Sequence, residues 1–462
     1  MPPLVARDTS AATSWLALGA IVVLAALLRF ATLRTQSIWF DEAATWDLVR
    51  RPFGEMLGQI PDGESNPPLF YVLEWGWTRV FGDGEAGLRS LSALAGLLTV
   101  PVAYAIGRRA GGVARAGLAA AALVAVNPLL VWFSQEARSY ALATLLSAVA
   151  LLLFLRAQDD RRGRVLAGWA LAAGCALATH YFAAFVLAPQ AAWLLWRHPR
   201  RRDAAAAVGA LAAAGLALLP LLLAQAGNPY DIAGTSLVLR LAQVPKQFLL
   251  GYRGPLALPL GVVGAALVAG GAWLLARRTP RPARERALLA ALGVGCGACE
   301  PRRAGAALLA ALCALSLAIV IAVASDAQYQ RQDWQGLAQA LGADDAPRAL
   351  VITPANGELA LRYYRRGARL LGPEGADVRE VDVVAVAGSP DPGKAPELPP
   401  LVGTTLGVPG FGAPQSIVAD TYGLVRYRAD GDAAVHVVPD PLGAVRFGDR
   451  FPSVDVLPPG GG

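Results

Sequence analysis

Charge is scarce in this chain. Only 16% of its 462 residues are Asp, Glu, Lys or Arg, against about a quarter in ordinary soluble domains, which argues against a soluble globular enzyme. Lysine is nearly missing: Lys246 and Lys394 are the only two, and the other basic residues are arginines. Cysteine is equally sparse. Cys175, Cys296, Cys299 and Cys313 all lie in apolar stretches, so the chain is no disulfide scaffold. Cys296 and Cys299 form a C-x-x-C without a second pair or a neighbouring histidine, and read as small apolar side chains rather than a metal half-site. Internal repeats, Walker loops and dinucleotide fingerprints are also missing, and nothing points to a metal or to a nucleic-acid partner.

Apolar residues are abundant, at 55% with a mean hydropathy of +0.44, which excludes disorder. The charges are unevenly placed. Residues 1–324 hold 29 basic and 17 acidic residues (+12), whereas residues 325–462 hold 12 and 17 (−5). The first part suits a membrane and the second suits water, so the domains are expected at 1–324 and 325–462.

A bilayer core about 30 Å thick needs roughly 20 apolar residues per helix. Ser14–Leu33, Gly87–Gly107, Ala116–Phe133, Tyr140–Leu155, Ala204–Ala224, Pro255–Ala276 and Ala304–Ala324 qualify. Val165–Trp196 is too long for one span and carries His180-Tyr181 at its centre, so it reads as two short helices. This makes about nine spans. Residues 287–299 are apolar but too short to cross. The arginine clusters at 108–115, 156–164, 197–202, 277–286 and 302–303 fall on one side, which the positive-inside rule makes the cytoplasm. The N-terminus is then cytoplasmic, and the loops 34–86, 134–139 and 225–254 face outward with residues 325–462. Arg29 and Arg34 offend the rule at the outer end of the first span, where with Arg89 they are expected to compensate the outward carboxylates Asp41 and Glu42.

The tail reads as a small α/β domain. Helices are expected over Asp333–Leu341 and Gly357–Arg366, and strands at Ala349–Ile352, Val381–Val386, Ile417–Val418, Leu424–Tyr427 and Ala434–Val438.

Four outward-facing features carry chemistry. Ser37-Ile38-Trp39-Phe40-Asp41-Glu42 sets two carboxylates among aromatics just after a membrane helix, a setting suited to proton transfer or cation binding. The plain alternative is a helix N-terminus whose acids complement the macrodipole. Asn66-Pro67-Pro68 opens a helix whose Tyr71, Trp75 and Trp77 suit the membrane interface. Ser134-Gln135-Glu136-Ala137-Arg138-Ser139-Tyr140 retains Glu136 and Arg138 where translocon scales charge about 2.5–3.5 kcal/mol for such a group at mid-bilayer. Either the two bridge each other or they face a ligand. His180, Tyr181, Lys246 and Arg253 lie on the same outward side, where cations could meet a phosphate.

In this order, with Ala86-Gly87-Leu88-Arg89-Ser90-Leu91 at the entry of the second span, these motifs resemble glycosyltransferase family 39. That family comprises polyprenyl-phosphate-sugar-dependent transferases of the GT-C fold, including protein O-mannosyltransferases and aminoarabinose transferases. The likeness covers roughly residues 14–200, and Asp333-Trp334 resembles the start of the outer domain in bacterial members. It implies an α-helical polytopic membrane protein with a small C-terminal extracytoplasmic α/β domain, multi-pass in the cell membrane. It further implies transfer of a hexose, with mannose a candidate, from a polyprenyl-phosphate donor to a protein, lipid or glycan acceptor with inversion. The resemblance assigns the base to Asp41, with Glu42 holding the acceptor or a cation. Arg138 is the first choice for the phosphate; Glu136, Lys246, Arg253, His180, Tyr181 and Arg89 complete the expected substrate contacts. Asn66 stands where many relatives have histidine, and residues 293–305 replace a helix pair that relatives carry. A transporter or lipid-carrier flippase, or an inactive relative, is the alternative.

Overall fold

A computed structural model describes residues 8–159, 163–197, 201–226, 237–252, 254–278, 303–326, 329–388, 397–403, 405–448 and 452–460. The chain divides into two compact units, Met1–Leu33 with Leu48–Ala322, and Arg34–Asp47 with Val323–Gly462.

The helices run in order as α1 (Asp8–Phe30), α2 (Phe40–Val49), α3 (Phe53–Gly63), α4 (Leu69–Phe81), α5 (Glu85–Gly111), α6 (Ala114–Val126) and α7 (Pro128–Ser134). They continue as α8 (Tyr140–Ala157), α9 (Gly163–Thr179), α10 (Ala183–Arg197), α11 (Arg202–Gln225), α12 (Leu237–Leu250), α13 (Ala257–Arg278) and α14 (Arg303–Ser325). Every expected apolar stretch is helical, and Val165–Trp196 divides into α9 and α10 around His180-Tyr181. Against the nine spans expected, among the described residues five helices are long and apolar enough to cross a membrane, or six if the bent pair α6–α7 counts as one, with shorter apolar helices at Gly163–Thr179 and Pro259–Gly271. The short apolar run 287–299, with Cys296 and Cys299, lies outside the described residues.

The bent pair corrects the expectation of one straight helix over Ala116–Phe133. Pro128 has no N–H and disfavours helical backbone at the residue before it, so Asn127 leaves the helical region (φ −60, ψ 122) and the axis turns by 59°. Asn127 then starts α7, its Oδ1 accepting from the Leu130 N–H at 3.0 Å. The break also leaves the last α6 carbonyls without intrahelical partners. Arg29 fills that need: its guanidinium donates to Ala125 O at 2.8 Å and Val124 O at 3.0 Å. Gln135, just past α7, returns the favour at the end of α1, donating to Leu28 O at 2.9 Å and Thr32 Oγ1 at 2.6 Å. The arginine that offends the charge rule therefore caps a broken helix rather than offsetting the acid pair. Arg34 is exposed.

Close approach between α5 and α6 depends on missing side chains. A Cβ on Gly107 would stand 2.7 Å from Ala116 O, and one on Gly117 would stand 2.6 Å from Tyr104 O. Such small-residue contacts let membrane helices pack backbone to backbone. A second core joins α8, α9, α10 and α11 through Phe154, Leu166, Trp169, Leu187 and Leu194.

In the second unit a six-stranded sheet has the order β2-β10-β1-β4-β7-β6. Its strands are β1 (Arg348–Thr353), β2 (Arg369–Leu370), β4 (Glu380–Val386), β6 (Gln415–Val418), β7 (Tyr422–Arg428) and β10 (Ser453–Leu457). Here β3 is Ala376–Val378, β5 Leu401–Val402, β8 Val435–Val437 and β9 Arg446–Phe447. β1 and β4 pair in parallel, Arg348 opposite Glu380, which requires a crossover; the helix Gly357–Tyr364 lies within it. β10, which the sequence does not announce, pairs antiparallel with β1. Its Asp455 is fully buried yet answered by Arg362 Nε at 2.9 Å. Asp382 in β4 is likewise buried between Arg348 and Arg426; burial pushes its carboxyl above the ordinary range, while Arg426 holds it back. The expected class, a helical polytopic membrane protein with a small C-terminal α/β part, is the one observed.

Gly117→Val should lower the stability of the solubilised protein by about 1–3 kcal/mol, because the new side chain meets backbone that cannot rotate away. Thermal unfolding in detergent checks it, and an unchanged midpoint would contradict the close packing.

Candidate functional site

Within the first unit the structure gathers an ionic group around Arg138. Its guanidinium meets Glu64 Oε1 at 2.9 Å, with both side chains almost fully buried. Glu64 is the residue after α3, where the chain leaves the helix and its N–H closes on Ile60 O at 3.2 Å. The other Glu64 oxygen accepts from the Tyr71 hydroxyl at 2.6 Å. Tyr71 is therefore no interfacial anchor; it is buried, and loss of water holds its phenol protonated well above its usual range. Trp75 and Trp77 are half-buried and fasten α4, donating to Arg51 O at 3.0 Å and Ser90 Oγ at 2.8 Å.

Arg138 thus pairs with a carboxylate from a distant segment; Glu136, its near neighbour in sequence, is buried too, and the Arg138 N–H closes on the Glu136 carbonyl at 2.8 Å. His180 stands in the turn between α9 and α10, its ring 5.6 Å from that of Tyr140. Burial first, and the Arg138 charge second, hold its imidazole below the ordinary value. His180 therefore favours the neutral form. The neighbouring Tyr181 donates to Gln225 Oε1 at 2.7 Å, and Gln225 reaches back to Ile60 O and Asn66 O, both at 3.2 Å. Asn66 is thus tied in through its carbonyl, and Gln225 ties the end of α11 to the segment holding Glu64.

Other expected contacts are placed differently. Arg89 is buried on α5 and donates to Leu33 O at 2.7 Å, closing the end of the first span. Lys246 lies on the helix α12 rather than in a loop, half-buried, and desolvation lowers its ammonium pKa. Arg253 lies outside the described residues.

Asp41 and Glu42 belong to the second unit. They occupy the first turn of α2, where acids complement the helix dipole. Asp41 is half-buried, and its carbonyl accepts from Thr45 Oγ1 at 3.2 Å. Glu42 is fully buried and stands 3.9 Å from Arg331 Nε. Arg331 also reaches Gln36 Oε1, at 3.3 Å from its backbone N–H and 3.2 Å from its guanidinium. Beside it, Asp333 caps its own short helix at Gly336 N (2.8 Å) and accepts from Ser37 Oγ (3.3 Å) and Thr421 Oγ1 (2.9 Å).

Glu64 and Arg331 are the residues that sequence reasoning missed. Glu64 is hidden in a turn-like run, Pro61-Asp62-Gly63-Glu64-Ser65, and its only signal is the adjoining Asn66-Pro67-Pro68. Arg331 stands two residues before Asp333-Trp334 and, like Arg29, falls where the charge rule expects no arginine. Among the described residues no group of three or more His, Cys, Asp or Glu is arranged to hold a metal ion.

Residues 65–224 match the family of dolichyl-phosphate-mannose-protein mannosyltransferases. That stretch contains Arg89, Glu136, Arg138, His180 and Tyr181, and the expected family resemblance is met over it. Among solved structures the chain is similar to the Saccharomyces cerevisiae protein O-mannosyltransferase Pmt1–Pmt2 complex bound to the sugar donor, at 20% identity over 55% of this chain and 33% of that one (TM-score 0.32). It is also similar to ArnT from Cupriavidus metallidurans bound to undecaprenyl phosphate, at 18% identity over 71% of this chain and 64% of that one (TM-score 0.39). The apo form of ArnT gives 19% identity over 72% and 63%, with a TM-score of 0.41. The chain thus spans between one third and just under two thirds of the length of these structures. No curated protein sequence matches it.

Arg138→Met strands a buried carboxylate and should destabilise the protein by about 3–5 kcal/mol, whereas the double change Arg138→Met with Glu64→Gln should recover much of that loss. Thermal melts of the native chain and the two variants check the coupling; equal losses in the single and double variants would contradict it. In the double variant His180 should titrate closer to its ordinary value, since one of the two causes depressing it is gone. In the native protein its contribution to stability is full above the ordinary histidine pKa and is lost as pH falls toward the lower folded value.

Proposed function

We propose that the chain is a membrane glycosyltransferase that moves a hexose, with mannose the first candidate, from a polyprenyl-phosphate donor to a hydroxyl acceptor outside the cytoplasm. The observation that carries this reading is the family match over residues 65–224, the stretch that holds the buried Arg138.

A phosphate-linked sugar already has a good leaving group, so the protein has to supply a base and a cation. Asp41 takes the proton of the acceptor hydroxyl; the acceptor oxygen bonds to the anomeric carbon as the bond from that carbon to the phosphate oxygen breaks. The electron pair leaves with the polyprenyl phosphate, and the anomeric centre inverts. Arg138 meets the phosphate charge as it grows, because a guanidinium keeps its charge in apolar surroundings and offers paired donors. Glu64 supports that role by fixing the guanidinium's orientation at 2.9 Å. Lys246 and Arg253 are further cations for the same phosphate, and His180, kept neutral, is suited to hydrogen bonding with the sugar. Glu42 holds the first turn of α2 that carries Asp41. Arg89, Glu136 and Tyr181 line and brace the donor's surroundings. The acceptor is a protein, lipid or glycan hydroxyl, and the chain works with its second unit facing away from the cytoplasm.

The test uses the purified protein in liposomes with undecaprenyl-phosphate mannose and a membrane extract as acceptor, read by mass analysis of what gains a hexose. Asp41→Asn should reduce transfer by about 10²-fold or more with an unchanged melting temperature. Full activity in that variant would remove Asp41 from the mechanism, and no hexose gain with the native chain would overturn the reading itself.

A further inference from the structure

The segment Arg34–Asp47, which carries the acid pair, belongs to the same compact unit as the C-terminal sheet. It is gripped at several points. Ser37 Oγ accepts from Gln335 N at 3.0 Å and donates to Asp333, the Ile38 N–H donates to the Tyr364 hydroxyl at 2.8 Å, and Trp46 packs edge-on against Tyr363. Those contacts fall on residues that flank the acids in the chain. Arg331 meets one of the acids.

Its side chain is 3% exposed and the Glu42 side chain 0%, so neither charge is dispersed by water. The separation of 3.9 Å is an ion-pair distance and too long for a hydrogen bond. The guanidinium is held there by Gln36 Oε1, which accepts from both the backbone N–H and the side chain of Arg331. A planar guanidinium can serve two partners at once, which a lysine ammonium on a flexible stem does poorly. Arg331 thereby connects Gln36, ahead of α2, with Glu42 in its first turn, and Asp41 is the residue next to Glu42.

We propose that Arg331 is a positioning residue for the acid pair: its guanidinium staples Gln36 to Glu42 and so fixes the first turn of α2, without touching donor or acceptor. The consequence for catalysis rests on the reading of Asp41 as base; the staple itself does not. The C-terminal unit is then part of what sets the acids in place.

The experiment compares the full-length native chain with Arg331→Met and Arg331→Lys. Hydrogen exchange read by mass spectrometry reports the amides of residues 36–47, the thermal melt reports the fold, and the liposome assay with undecaprenyl-phosphate mannose reports transfer. Arg331→Lys should keep the melt and the exchange of β1 and β4, speed exchange over residues 36–47 at least severalfold, and lower kcat severalfold with the donor KM unchanged. Arg331→Met should do the same more strongly. Native exchange over 36–47 in a folded variant overturns the staple, and so does unfolding of both variants, which would make the pair a general support of the unit. Native kcat with faster exchange over 36–47 overturns the link to catalysis. A native chain without transfer defeats the proposed function alone, because the exchange result still decides the staple.

Discussion

A guanidinium withdrawn from water must find its partners inside the chain, and this constraint organises the structure. An unpaired ion in an apolar interior costs several kcal/mol on the order of, more than most single contacts return. Three buried arginines meet it in three ways. Arg29 binds the backbone carbonyls that a proline break orphans in α6, Arg138 binds a carboxylate at the end of α3, and Arg331 binds a glutamine and a glutamate flanking the start of α2. In each case the arginine comes from one region of the sequence and its partner from another, so satisfying the charge also fixes the chain.

The same requirement links the break in α6 to the end of α1. Pro128 creates orphan carbonyls, Arg29 answers them, and Gln135 answers the carbonyls around Arg29 in return. A kink that would weaken an isolated helix here becomes a junction between two helices. Arg138 follows three residues after Gln135, so the junction and the ionic group lie on one short piece of chain, and the orientation of the guanidinium is built from both sides.

Much of this was legible in the residues. Apolar stretches of the right length gave the helices, the polar His180-Tyr181 marked the division between α9 and α10, and the alternation and β-branched runs around 349–352, 381–386 and 424–427 became strands of one sheet. β10 went unread although Ser453-Val454-Asp455-Val456 alternates polar and apolar residues, as a half-exposed edge strand would. Both polar residues are in fact buried against Glu358 and Arg362 on a distant helix. Tyr71 misled for a related reason: an aromatic with a hydroxyl reads as an interfacial anchor until its carboxylate partner is known. Arg29 looked like a compensating charge near the acids because spacing shows on which side of a helix end a charge falls, but not which carbonyls a bend further along has exposed.

Which segments are apolar, where most helices lie, and which ionisable residues are retained where they are costly can all be read from the residues, because those properties belong to single residues and their near neighbours. The pairings emerge in three dimensions alone: Arg138 with Glu64, Arg331 with Glu42, and the acid-bearing segment with the C-terminal sheet. A pairing depends on distance in space, and residues far apart in a chain gain that nearness only when the whole fold has closed.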